Sequence, residues 1–166
     1  MLIMKTLTRL ALLAALLVFS VPTRAPAQTS IAIGPRAGYE VGDVQTPFVG
    51  GDLRIGVGAL PVRLNATYDA YLGEGADLYQ FAANALYNFE GGGRNRVFTP
   101  YAGAGLSVAG YDAEGDDDSV TDTALNLLFG AEFEATARFR PFVQAEFTVF
   151  GEQDLYDVGG GLLFTF

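Results

Sequence analysis

Neither histidine nor cysteine occurs in the chain, and that pair of absences narrows the chemistry open to it. Acyl transfer by a Ser–His arrangement and peptide cleavage by an Asp–His pair need a base that titrates near neutral pH, the usual task of His. Disulfides and thiolate metal sites need Cys. Carboxylates, guanidinium groups and amides are what remain. Glu132 and Glu134 stand two residues apart, a spacing that puts both side chains on one face of a strand. Such a pair suits acid–base work, but it also suits a network of charges inside a barrel. The second reading is favoured, because the spacing recurs along the whole chain, and no enzyme is expected.

Arg36, Asp52, Arg54, Arg63, Asp69, Glu132, Glu134, Glu146 and Asp157 fall on one parity of successive alternating segments, together with Asn65, Gln80, Asn84, Asn126 and Gln144. Alternation bounded by turn residues marks eight such segments, at 31–40, 48–58, 62–71, 78–89, 100–111, 123–134, 139–150 and 156–166. The opposite parity is free of charge. In the second segment it reads Val49, Gly51, Leu53, Ile55, Val57, and in the sixth Leu125, Leu127, Phe129, Ala131, Phe133. Successive side chains on a strand point to opposite faces, so each strand has an apolar face and a mixed polar one.

Which face turns inward decides the protein class. A soluble barrel of lipocalin type would bind an apolar ligand inside and put Arg54 and Glu132 outside. A transmembrane barrel reverses this, apolar out and polar in. Aromatic residues near strand ends on the apolar parity (Tyr39, Tyr68, Tyr79, Phe89, Phe133, Phe164, Phe166) suit the membrane's interfacial girdles. So does the last segment, in which Leu162, Phe164 and Phe166 alternate outward and Phe166 ends the chain.

Residues 1–27 read as a secretory signal peptide. Lys5 and Arg9 precede an apolar run from Leu10 to Val21, and Ala25-Pro26-Ala27 offers a small-x-small cleavage site. The run is shorter than the roughly 20 residues a membrane-spanning helix needs. No Cys follows, which argues against a lipoprotein. Residues 28–166 then form one barrel domain. Without Lys5, Arg9 and Arg24 the chain has seven basic residues against 19 acidic ones, a net charge of −12. Nucleic acid is a poor partner for such a surface. The connections differ at the two rims. Those at 41–47, 72–77, 112–122 and 151–155 carry acidic residues and no Lys or Arg, whereas those at 59–61, 90–99 and 135–138 hold Arg94, Arg96 and Arg138. The first set is expected outside the cell and the second in the periplasm.

Gly34-Pro35-Arg36-Ala37-Gly38-Tyr39, Pro100-Tyr101-Ala102-Gly103-Ala104-Gly105, Pro141-Phe142-Val143-Gln144-Ala145-Glu146 and the stretch from Gly159 to Phe166 together resemble the small outer-membrane barrels of OmpA/OmpX type, the outer membrane protein β-barrel domain family. The resemblance covers the chain beyond its leader. It implies an all-β fold, an eight-stranded antiparallel up-and-down transmembrane β-barrel, located in the bacterial outer membrane after export through the periplasm. Members serve as structural anchors, adhesion or complement-evasion surfaces, and occasionally as small channels. The outer loops here are short for a large adhesive surface. The family also implies that Leu162, Phe164 and Phe166 act as an assembly signal for the barrel-insertion machinery.

A lumen of eight strands is just wide enough for side chains to fill. The expectation is an interior plugged by Arg–carboxylate pairs, in a monomer whose partners are outer-membrane lipids and which carries no cofactor. The alternative is a narrow channel for ions or small solutes, because glycines at 34, 38, 50, 56, 58, 103, 105, 159 and 161 share the inward parity and would leave space. The acidic loop 112–122 offers oxygen ligands for divalent cations at the outer rim, although its spacing does not match an EF-hand.

Overall fold

A computed structural model describes residues 29–58, 60–73, 76–89, 98–113, 120–136, 138–149 and 154–166. The expected leader, Arg94 and Arg96, and the centre of the acidic loop at 114–119 lie outside the described residues. The strands are β1 (Thr29–Glu40), β2 (Pro47–Val57), β3 (Val62–Tyr71), β4 (Ala76–Asn88), β5 (Phe98–Ala113), β6 (Val120–Phe133), β7 (Phe139–Val149) and β8 (Asp154–Thr165). Each pairs antiparallel with its sequence neighbour, and β8 pairs with β1, closing the barrel. Closure abolishes free sheet edges, so the backbone can satisfy its own hydrogen bonds away from water.

The seam between β1 and β8 runs in one register, from Ala32↔Thr165 through Arg36↔Gly161 to Glu40↔Asp157. Pro35 interrupts the bonding without shifting it, since proline supplies no N–H to the ladder. Two connection sets define the ends. At the turn end β2 passes to β3, β4 to β5 and β6 to β7; at the loop end β1 passes to β2, β3 to β4, β5 to β6 and β7 to β8.

The polarity is that of a membrane barrel. Alternation is complete along β3, where Arg63, Asn65, Thr67 and Asp69 are buried while Val62, Leu64, Ala66 and Tyr68 are exposed. Ile33, Leu64, Phe81, Leu106, Leu127 and Val143 belong to a belt of exposed large apolar side chains that runs around the wall. In water such a surface would forfeit about 25 cal/mol for every Å² left unburied. In lipid it is the matched surface. Arg54 and Glu132 are buried inside, opposite to the soluble lipocalin arrangement. Aromatic pairs mark the rims: Tyr87–Phe89, Phe98–Phe133 and Phe139–Phe164 at the turn end, and Phe147–Tyr156 toward the loop end.

Three details differ from the sequence expectation. Strand β6 stops at Phe133, so Glu134 lies beyond it, exposed at the rim and outside the lumen. The chain must turn toward β7 within a few residues there, and an unpaired carboxylate is better hydrated than buried. Gly58 likewise lies past β2, in a turn whose positive φ of 60° suits glycine. At several of the remaining inward glycines a large side chain stands where a Cβ would be. A Cβ on Gly38 would meet the Phe48 ring at 2.6 Å, and one on Gly161 would meet the Phe142 ring at the same distance. Gly103 makes the same allowance for Leu86.

Candidate functional site

The site is the lumen, and alternation assembles it. Every strand sends its polar parity inward, so residues distant in sequence meet across the barrel. Arg54, on β2, is 1% exposed and holds the centre of the turn half. Its Nε and Nη2 donate to both oxygens of Asp52, at 3.0 and 2.9 Å, and its Nη1 donates to Glu132 Oε1 at 2.6 Å. The guanidinium carbon lies over two rings, 4.7 Å from the Tyr101 centroid and 4.3 Å from that of Phe142. Forked donors on two carboxylates beside two aromatic rings is the arrangement that suits arginine and would not suit lysine.

From Arg54 the bonding spreads in two directions. Asn65 donates to Asp52 at 2.9 Å, Asn84 to Asn65 at 3.0 Å, Asn126 to Asn84 at 3.3 Å, and Ser107 to Asn126 at 2.9 Å. On the other side Tyr101 donates to Gln144 at 2.8 Å, and Gln144 to Glu146 at 3.2 Å. Arg36 completes the run. Its Nη2 meets Glu146 Oε2 at 3.2 Å and its Nε meets Asp69 Oδ1 at 3.1 Å. Toward the turn end Arg63 Nη2 reaches Glu132 Oε1 at 2.6 Å and Asn88 Oδ1 at 2.8 Å. One connected network thus draws on β1 through β7.

A second, smaller network closes the loop end. Tyr71 donates to Asp157 at 2.8 Å, and Gln80 to Thr148 at 3.2 Å. Phe48, Tyr71 and Leu155 form an apolar cluster at the same level. A matching cluster of Ala32, Phe142 and Leu163 lies toward the turn end. Charge is segregated between the halves. Arg54, Arg63 and Arg140 sit toward the turn end with Asp52 and Glu132, whereas Asp69, Glu146, Asp157 and Glu40 sit toward the loop end with Arg36. Among the described residues no group of three or more carboxylates is placed to hold a metal ion.

The geometry brings together Arg36, Asp52, Arg54, Arg63, Asp69, Glu132 and Glu146, the lumen residues picked out from the sequence, and excludes Glu134. Leu162, Phe164 and Phe166 face outward, Phe166 with 82% of its surface exposed. Two charged residues escaped the sequence reading although they share the inward parity. Arg140 reaches Glu132 Oε2 at 3.8 Å. Glu40, fully buried at the top of β1, accepts from the backbone N–H groups of Gly42, Val44, Gln45 and Tyr156, at 2.7, 2.9, 2.7 and 3.1 Å. One carboxylate thereby organises the whole β1–β2 loop and ties it to β8. The Tyr39 hydroxyl adds a bond to the Gln45 carbonyl at 2.6 Å, and Gln45 takes a positive φ of 50°.

No protein-family description matches the chain, and no curated protein matches its sequence. Solved structures do. The N-terminal β-barrel domain of Pseudomonas aeruginosa OprF superposes with a TM-score of 0.70 at 20% identity, over 84% of this chain and 99% of that one. Neisserial surface protein A gives 0.64 at 18% identity, covering 86% of this chain and 100% of the other. Ail, the attachment invasion locus protein of Yersinia pestis, gives 0.56 at 18%, covering 83% and 97%. At these identities the likeness establishes the fold, which is the eight-stranded outer-membrane β-barrel.

Proposed function

We propose that the chain is an integral bacterial outer-membrane protein with a structural or surface-interaction role, a sealed barrel that presents short acidic loops outward. One observation carries this reading: the hydrogen-bonded network from Ser107 through Arg54 to Asp69 crosses a lumen in which Phe48, Phe142 and Leu86 stand over Gly38, Gly161 and Gly103. An ion entering would have to break charge-assisted bonds that nothing in the bore replaces. The exposed apolar belt supplies the membrane partner, namely lipid acyl chains. Recognition by the barrel-insertion machinery through Leu162, Phe164 and Phe166 belongs to the same reading, as does a monomeric state.

Planar-bilayer recording of purified, refolded protein tests the seal. Conductance is expected at background across both polarities. A steady cation-selective current would overturn the plug, and the acidic loop half would then be the lining of a narrow channel. Cell fractionation tests location. Recovery in the soluble periplasm without detergent would overturn it.

A further inference from the structure

Buried polar atoms without partners lie toward both ends of the lumen. Toward the loop end they include the carboxylate oxygens Glu146 Oε1 and Asp157 Oδ1 and one guanidinium donor, Nη1 of Arg36. Toward the turn end they are donors: Nε of Arg63, Nε of Arg140 and the hydroxyl of Thr165. What distinguishes the turn end is an excess of positive charge around one carboxylate. Three guanidinium groups converge on Glu132, Arg54 and Arg63 both at 2.6 Å and Arg140 at 3.8 Å. The other carboxylate of this half, Asp52, is engaged through both oxygens by Arg54. Three arginines therefore share two carboxylates. Arg63 is nine-tenths buried, so bulk water does not serve its spare donor, whereas the Arg140 side chain is 36% exposed and opens on the mouth. Arg138 is exposed beside them, and its carbonyl accepts from the Thr165 amide at 2.9 Å, which fixes the Thr165 backbone at the same rim.

We propose that this mouth is an oxyanion site, in which a phosphate-type anion seats between Arg63 and Arg140 with Thr165 as a further donor and Arg138 at the rim. An anion there supplies the one negative charge that the arginines lack. A tetrahedral oxyanion also offers several acceptors at once to fork-shaped guanidinium donors, which a halide cannot do. Glu134, exposed at this same end, opposes the anion. The Phe139–Phe164 aromatic pair lies next to the mouth, where a lipid headgroup would sit. A phospholipid phosphate and a free phosphate thus present the same chemistry.

Side-chain ¹H–¹⁵N spectra of the full chain folded in a phosphate-free maltoside detergent provide the test. Inorganic phosphate is titrated at constant ionic strength against chloride, and a short-chain phosphatidic acid forms the second arm. The Nε–H resonances of Arg63 and Arg140 should shift saturably while that of Arg36 stays put. Saturation by both anions makes free phosphate a sufficient ligand; saturation by the lipid alone assigns the headgroup. Arg140→Gln should weaken binding about tenfold, as expected for losing one charge-assisted contact, and Arg140→Lys should recover part of it. Glu134→Gln should tighten binding. Absence of a saturable shift with either anion overturns the site, as does undiminished binding in Arg140→Gln.

Discussion

Arg54 concentrates the energetics of the lumen in one side chain. Two carboxylates and two aromatic faces depend on it, and no solvent reaches it. Removing a buried partner leaves the other charge uncompensated, at a cost of about 3–5 kcal/mol. Arg54→Ala should lose that much in urea unfolding from lipid vesicles, while Arg138→Ala, exposed at the rim, should stay within about 0.5 kcal/mol. Glu40 has a different reach. Its four backbone acceptances hold a loop rather than a core. Glu40→Ala should therefore speed hydrogen exchange at Gly42, Val44 and Gln45 by far more than at β4 amides. Uniform acceleration across the barrel would instead mean that Glu40 supports global stability. Parity put Arg54 on the mixed polar face, and the aromatic residues near strand ends, with Phe166 on the apolar parity, turned that face inward. It could not show that Glu40 would bond to backbone, since loop conformation is not written in alternation.

At the scale of strands, the described outward positions between the two rims carry no charged side chain. Leu127 lies near the middle of β6 and faces outward. Leu127→Arg should cost about 2–4 kcal/mol in bilayers if the strand crosses the midplane there, read from the same vesicle unfolding assay. An unchanged midpoint would reverse the inside-out assignment. Strand positions were legible to within a few residues, since a period of two is dense enough to survive boundary error. Strands β5 and β6 run farther toward the loop end than alternation suggested, because Tyr111 and Val120 pair across a stretch whose acidic residues look like loop. The opposite error put Glu134 on a strand. Glycine was the other weak point. Counted alone, inward glycines read as empty space; Gly38, Gly161 and Gly103 are instead the clearance that Phe48, Phe142 and Leu86 require.

For the molecule as a whole, polarity and connectivity were both readable from residue order, whereas its role was not. Fold-level likeness to OprF, Neisserial surface protein A and Ail fixes an architecture that serves unrelated ends. What distinguishes this chain is the interior, and there Arg36 has a consequence in time. It rises from β1 to hold Asp69 on β3 and Glu146 on β7, a partner 110 residues away in sequence. Neighbouring hairpins can register locally, but β7 comes within reach of β1 only when β8 has docked against β1. The Arg36 clasp must then be among the last interactions to form and the first that a parting seam releases. Kinetically that is a position of low φ, whose loss falls on the unfolding limb. Arg36→Gln should leave the refolding rate into vesicles nearly unchanged and raise the unfolding rate by the full equilibrium loss. If refolding slows in proportion instead, the seam closes before the wall is built, and the barrel assembles around its latch.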